Sequence, residues 1–374
     1  MRKLSMKQIS LIVSGSVFMI LLIAVFIILG FTKKNVNLDV LREKTLVGLI
    51  TRGSVDDMSW SRSHSDALGR ISDELNLEVI CRENVAAEGF TDAVRSLADE
   101  GCLVIVAASC DYSRYIDECG AEFPDVYFLN AGGNSAGRNT GSYFGRMYQY
   151  RYLSGIVAGT STTTGSIGYV ASFPIPEVNR GINAFTLGVR SVAPEAVVHV
   201  SFCGSWTDDK SAEECAEKLI TDCNADVLTL HTDSLAPLDT AEKHGIWTIG
   251  CNFDNSSRYA DSYLTGCVWN WDGYYKEQIL SCLQGKFKGK NNWLGMESGI
   301  MELTDPDITG NADPAYSEPL KAARARFEDY SFDVFYGPVT DNEGNIRVGE
   351  GESLSDDVMM NSFDWYVEGV EIER

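Results

Sequence analysis

The 374-residue chain is poor in basic side chains: 31 Lys and Arg stand against 53 Asp and Glu, a formal charge of -22. Nucleic-acid backbones are held by clustered Lys and Arg, so this balance excludes a nucleic-acid partner. Histidine is scarce, at 4 residues, and none falls in an H-E-x-x-H or H-x-x-E-H spacing. A histidine-based metalloenzyme is therefore not expected, and neither a metal site nor a cofactor is read from the sequence. The 10 cysteines contain no C-x-x-C, which disfavours zinc ribbons and thioredoxin-like centres. G-x-G-x-x-G and a P-loop are missing too, which speaks against a phosphorylated ligand. No short-period repeat marks a solenoid. What is present is a globular composition, 44% hydrophobic with 9 prolines. At roughly 100–200 residues per domain, the length suggests two domains.

The charge is unevenly placed. Residues 1–34 carry Arg2, Lys3, Lys7, Lys33 and Lys34 and no acid. Between these flanks, Leu11 to Phe31 is an uncharged run of 21 residues. At roughly 1.5 Å per residue, a helix of this length spans a bilayer core of about 30 Å. The apolar core of a cleaved signal peptide is shorter and is followed by a small-residue cleavage site, absent here. The expectation is an uncleaved membrane anchor. The excess of basic residues before the span places the N-terminus inside and the body outside the cell membrane. An exported body could oxidise its cysteines, and one or two disulfides are expected among otherwise buried thiols.

Beyond the anchor, short apolar runs alternate with helix-length stretches. TLVGLIT (45–51), LEVI (77–80), LVIVAA (103–108) and VYFLNA (126–131) form one set of strands. GSIGYVAS (165–172), VVHVSF (197–202), VLTLH (227–231) and TIGC (248–251) form a second. Helices are predicted over 61–75, 89–100, 111–122, 177–192, 208–222 and 236–244, with a long amphipathic stretch over 147–160. This alternation means βαβ units and two parallel sheets. A later strand, YLTGCVWNW, ends in aromatics, and TDNEGN (340–345) predicts a hairpin turn.

In such sheets ligands bind beyond the carboxyl ends of the strands. The residues found there are aromatic and acidic: Trp60, Ser109, Tyr112, Phe173, Trp206, Asp208, Asp233, Asn252, Asp254, Trp269 and Trp271. Repetition at one edge, rather than any single residue, points to a site. Aromatic faces stack on a flat heteroaromatic ligand, and carboxylates accept its N–H groups. Packing and helix capping compete at several positions. Asp208 precedes a helix, Asp233 precedes another that Ser234 could cap, and Asp254 could cap Ser256 and Ser257. Trp271 either closes the pocket or packs the hinge, and Glu177 caps or fixes the PIPEV turn.

The run IGYVASFPIPEVNRGINAFTLGVRSVAPEA (167–196) resembles the basic membrane lipoprotein (Bmp/Med) family of substrate-binding proteins. So do GSW-x-D (204–208), HTDS-x-AP (231–237), WNWDGYY (269–275) and WYVEGV (365–370). The resemblance extends from about residue 45 to the C-terminus. It implies a type I periplasmic-binding-protein fold, two Rossmann-like lobes joined by three hinge crossovers. The expected division is 1–44 as anchor and linker, 45–138 with 253–285 as one lobe, and 139–252 with 286–374 as the other.

The resemblance also implies delivery of a purine nucleobase or nucleoside to the permease subunits of an ABC importer, without catalysis. Trp60 matches the family position of an aromatic that stacks on the base, and Trp206 is expected on the other face. Nucleoside-binding members carry an Asp and a Lys that hold the ribose; the matching positions here are Asn252 and Trp269. This departure, with the HTDS motif, favours a free base such as adenine over a nucleoside. The lipid-anchor cysteine of the family is also missing, its place taken by the apolar span. A membrane-tethered ligand sensor is the alternative of a different class. A nucleoside hydrolase would need an acidic calcium cluster, and adjacent Asp56 and Asp57 do not point the same way.

Overall fold

The computed structural model describes residues 44–328 and 332–373. The expected membrane helix lies outside the described residues. Among those described, no helix is long and apolar enough to cross a membrane.

The first five strands are β1 (Thr45–Thr51), β2 (Leu77–Arg82), β3 (Val104–Ala108), β4 (Tyr127–Ala131) and β5 (Thr140–Gly145). The next five are β6 (Ser166–Ala171), β7 (Val197–Phe202), β8 (Val227–His231), β9 (Trp247–Asn252) and β10 (Tyr263–Trp269). Then come β11 (Asn291–Leu294), β12 (Met301–Leu303), β13 (Val339–Thr340), β14 (Ile346–Val348) and β15 (Val370–Glu373). They build a six-stranded sheet in the order β11-β5-β4-β3-β1-β2 and a seven-stranded sheet in the order β12-β10-β9-β8-β6-β7-β15. The pairings are parallel except β10 with β12. The β13–β14 pair is the hairpin expected around TDNEGN.

In each sheet the first strand lies between the second and third, so the winding reverses between β1 and β3 and again between β6 and β8. Such switch points open a crevice at the carboxyl ends. The chain passes between the sheets three times: after β5, after β10 and after β11. The expected boundaries at 138 and 253 do not follow this partition. β5 and β11 belong to the first sheet and β10 to the second. An apolar strand reads alike in either sheet, because membership depends on a hydrogen-bonding partner distant in sequence.

Two helices account for much of the core. Met147–Ser161 is buried on nearly all sides rather than amphipathic, and it packs on Pro176–Val192. The approach is close enough to demand glycine. A Cβ at Gly155 would lie 2.1 Å from the Phe185 carbonyl oxygen, and one at Gly188 2.0 Å from that of Tyr152. The second helix also holds the C-terminal segment. Asn179, Arg180 and Asn183 donate to the carbonyls of Phe363, Met359 and Trp365 at 2.6–2.9 Å. The motifs NRGIN and WYVEGV thus lie against each other.

All ten cysteines are free. The expected disulfides are not formed; Cys102, Cys119, Cys251, Cys267 and Cys282 are instead buried as small apolar side chains.

Candidate functional site

The carboxyl ends of both sheets open onto one cavity of about 290 Å³. The first sheet contributes Trp60 after β1, Ser109 after β3, Gly132 after β4 and Phe144 at the end of β5. The second contributes Phe173 and Glu177 after β6, Trp206 after β7, Asp233 after β8, and Asn252 and Trp269 at the ends of β9 and β10. Seven of the eleven predicted residues therefore meet: Trp60, Ser109, Phe173, Trp206, Asp233, Asn252 and Trp269.

Trp60 opens the helix Trp60–Leu75. The Asp57 carboxylate accepts from the backbone N–H groups of Ser59, Ser61 and Arg62 at 2.8–3.0 Å, an anion at a helix N-terminus. The indole of Trp60 donates to the Ala108 carbonyl at 2.8 Å. Its ring meets His64, Trp269 and Trp271 edge-on, with centroids 4.5, 5.6 and 5.9 Å away. Trp269, Trp271 and His64 form a column, stacked at 4.4 and 4.9 Å. Burial lowers the His64 pKa to about 3, so this imidazole is neutral at ordinary pH. Its Nδ1 lies 2.5 Å from the Tyr275 hydroxyl.

Trp206 has fewer supports. It is half-buried on the loop after β7, with Phe173 at 5.8 Å and His231 at 6.2 Å. Its carbonyl accepts from the Asp233 N–H at 2.7 Å and from the Thr232 hydroxyl at 2.6 Å, which ties its loop to the next.

Asp233 joins the two walls. Its Oδ1 accepts from the Asn252 amide at 3.0 Å and from Ser59, on the opposite wall, at 3.2 Å. Ser234 takes the Ala236 N–H at the start of the next helix, so Asp233 is spared capping. Burial raises the Asp233 pKa to about 8, helped by the negative charge of Asp57 and opposed by its two hydrogen bonds. The carboxyl is thus poised between donor and acceptor near neutral pH. Asn252 is left-handed, at φ 68, a conformation that Asn tolerates and that gathers at functional sites. Its other amide atom accepts from Trp269 Nε1 at 3.0 Å. The two residues at the departed family positions thus touch each other.

Four predicted residues do not line the cavity. Tyr112 is buried against Phe90 at 4.5 Å and donates to the Val85 carbonyl. Asp208 caps the helix Asp209–Thr221 through the Lys210 N–H, and exposed Asp254 accepts from the Ser256 N–H. Trp271 is fully buried behind Trp269 and donates to Ser63 at 3.1 Å. The local bonds weighed as alternatives are made at Asp208 and Asp254, and Trp271 packs rather than closes the pocket.

Sequence reasoning missed Phe144, Glu177, Arg180 and His231. Phe144 lies on β5, a strand without a long apolar run. Glu177 and Arg180 stand in the FPIPEVNR segment, and a charged pair one helical turn apart on a cavity wall was the available signal. Burial raises the Glu177 pKa, and the Arg180 charge opposes the shift. Arg52, at the same cavity, pairs with Asp111 at 3.1 Å. The cations here therefore have anionic neighbours, and no cluster suited to phosphate forms at this cavity.

Two interleaved α/β units with a cavity at their shared carboxyl edges make up the periplasmic-binding-protein fold. A solved solute-binding protein of an ABC transporter from Conexibacter woesei has this architecture, with a TM-score of 0.66 at 20% identity over 77% of this chain and 98% of its own. Residues 44–328 match the family described as Bmp, ABC transporter substrate-binding protein PnrA-like. The chain belongs to that family. It is 33% identical over 334 residues to a purine-binding protein of Brucella abortus, covering 88% of this chain and 93% of that one. It is also 33% identical over 321 residues to a putative ABC transporter glucose-binding protein of Haloferax volcanii, covering 85% and 78%. The chain is thus an extracytoplasmic, non-enzymatic substrate-binding protein of an ABC transporter.

Proposed function

We propose that the protein binds a purine nucleobase, adenine-like, and presents it to the permease of an ABC importer. The observation that carries this reading is the meeting of Trp60 and Trp206 on one cavity with the carboxyl of Asp233 between the walls. Indole faces suit a flat heteroaromatic ring. A carboxyl with a pKa of about 8 can donate to a ring nitrogen or accept from an amine. The volume of about 290 Å³, near the lower bound of roughly 300–1,000 Å³ for ligand pockets, is enough for a base. The purine-binding relative supports the same class. Closure of the lobes about the three crossovers would trap the ligand, and the apolar run of residues 11–31 would tether the body to the membrane.

A thermal-shift series on the full chain tests the reading, using adenine, hypoxanthine, guanine, their nucleosides, and glucose. Bases should raise the melting temperature most. A response to glucose alone, as the name of the Haloferax relative would suggest, sinks the purine assignment.

A further inference from the structure

We propose that His199, Cys223 and Glu373 form a binding site for a thiophilic divalent cation, Zn²⁺ above all, on the edge of the second sheet. His199 stands on β7, Cys223 follows the helix Asp209–Thr221, and Glu373 lies on β15. None of the three lines the ligand cavity. One ligand atom from each lies within 4.8 Å of the other two. His199 Nδ1 is 2.9 Å from Glu373 Oε1, and the Cys223 thiol faces the same pair within 4.8 Å. Glu371 brings a second carboxylate to 3.6 Å from the imidazole.

The geometry follows from the sheet. β15 runs parallel to β7 with Glu371 paired to His199 and Glu373 paired to Ser201. Alternate residues of a strand share a face, so both carboxylates stand on the side of His199. Cys223 closes the group from the end of the neighbouring helix. A thiol and an imidazole beside one or two carboxylates suit Zn²⁺ rather than Mg²⁺ or Ca²⁺, which take oxygen ligands. Zinc bonds of about 2.0–2.3 Å place tetrahedral ligands roughly 3.4–3.8 Å apart, so side-chain rotation of about 1 Å completes the site. The cation replaces the protons that these groups now share, and the thiol proton passes to solvent. Three ligands leave one position for water; Glu371 can fill it. The bound cation would pin the four-residue β15 to the body of the sheet and stabilise the fold by mass action.

The test uses the full chain, stripped with EDTA and equilibrated with micromolar Zn²⁺ or Co²⁺. One bound zinc per chain is expected, with a higher melting temperature and a thiolate-to-cobalt charge-transfer band. Cys223→Ser and His199→Gln should each weaken zinc binding by more than the roughly 10–100-fold that follows loss of an outer-shell partner. Cys215→Ser, on the adjoining helix, should leave it unchanged. No zinc in the wild-type chain, or zinc retained by both variants, overturns the site. A wild-type cobalt spectrum without the thiolate band overturns the site even if a variant fails to fold.

Discussion

Trp60 and Trp206 line one cavity from opposite sheets, yet their surroundings differ. Trp60 is bonded through its indole nitrogen and boxed by His64, Trp269 and Trp271. Trp206 touches Phe173 and His231 from a loop. The first wall is a pre-set aromatic surface rooted in the core. The second carries the Asp233 carboxyl on a loop, Glu177 and Arg180 near the start of the helix Pro176–Val192, and the buried His231 imidazole at the end of β8. A rigid face and a polar face of loop and helix-end residues together suit the closure proposed above.

Four substitutions would break or sharpen this contrast. Trp60→Ala should have the largest effect, because it removes both the proposed ligand face and the ring that packs edge-on against the aromatic column. A loss of about 2–3 kcal/mol in stability is expected, below the 3–5 of a fully buried Trp. Urea melts and calorimetry with adenine should both record the damage; intact stability would show that the first wall is not rooted as described.

Asp233→Asn should cost at least about tenfold in affinity for the base, or roughly 1.4 kcal/mol. It also has a pH signature. A carboxyl held at about 8 in the fold, against an ordinary 3.8, binds a proton that the unfolded chain has lost. Its contribution is therefore fully present below pH about 4 and is lost as pH rises through about 8. The variant lacks this dependence, so its melting temperature should gain on the wild type between pH 5 and pH 8. Parallel melting curves across that range would refute the raised pKa.

Trp206→Ala should separate binding from stability. Calorimetry should show affinity falling by about tenfold, while stability moves by less than about 1 kcal/mol. Equal losses in both would erase the distinction between the walls. Asp208→Ala should have the smallest effect on the ligand. It should cost about 0.5–2 kcal/mol of stability through the lost cap and leave affinity unchanged. A weakened affinity would return Asp208 to the site.

Much of the fold was legible in local pattern. The eight apolar runs predicted for the two sets all contain strands, and the ends of those strands supplied Trp60, Ser109, Phe173, Trp206, Asp233 and Asn252 to the cavity. β5, β11, β12 and β15 are short or polar and left no comparable run, and with β5 went Phe144. Tyr112, Asp208 and Asp254 follow strands in the same way yet turn to local partners. A loop residue has both options, and the choice depends on the neighbouring chain.

The amino-acid sequence by itself determined the α/β alternation, the carboxyl edges where a ligand could sit, and the absence of a phosphate-binding loop. These rest on the spacing of apolar residues and on motif spacing, which are local properties. Only the tertiary structure decided which sheet received β5, β10 and β11, and that Asn252 and Trp269 would bond to each other. It alone gathered His199, Cys223 and Glu373, residues from distant segments. Hydrogen-bond partners, burial of charge and cavity walls are set by segments far apart in the chain, and no local period records them.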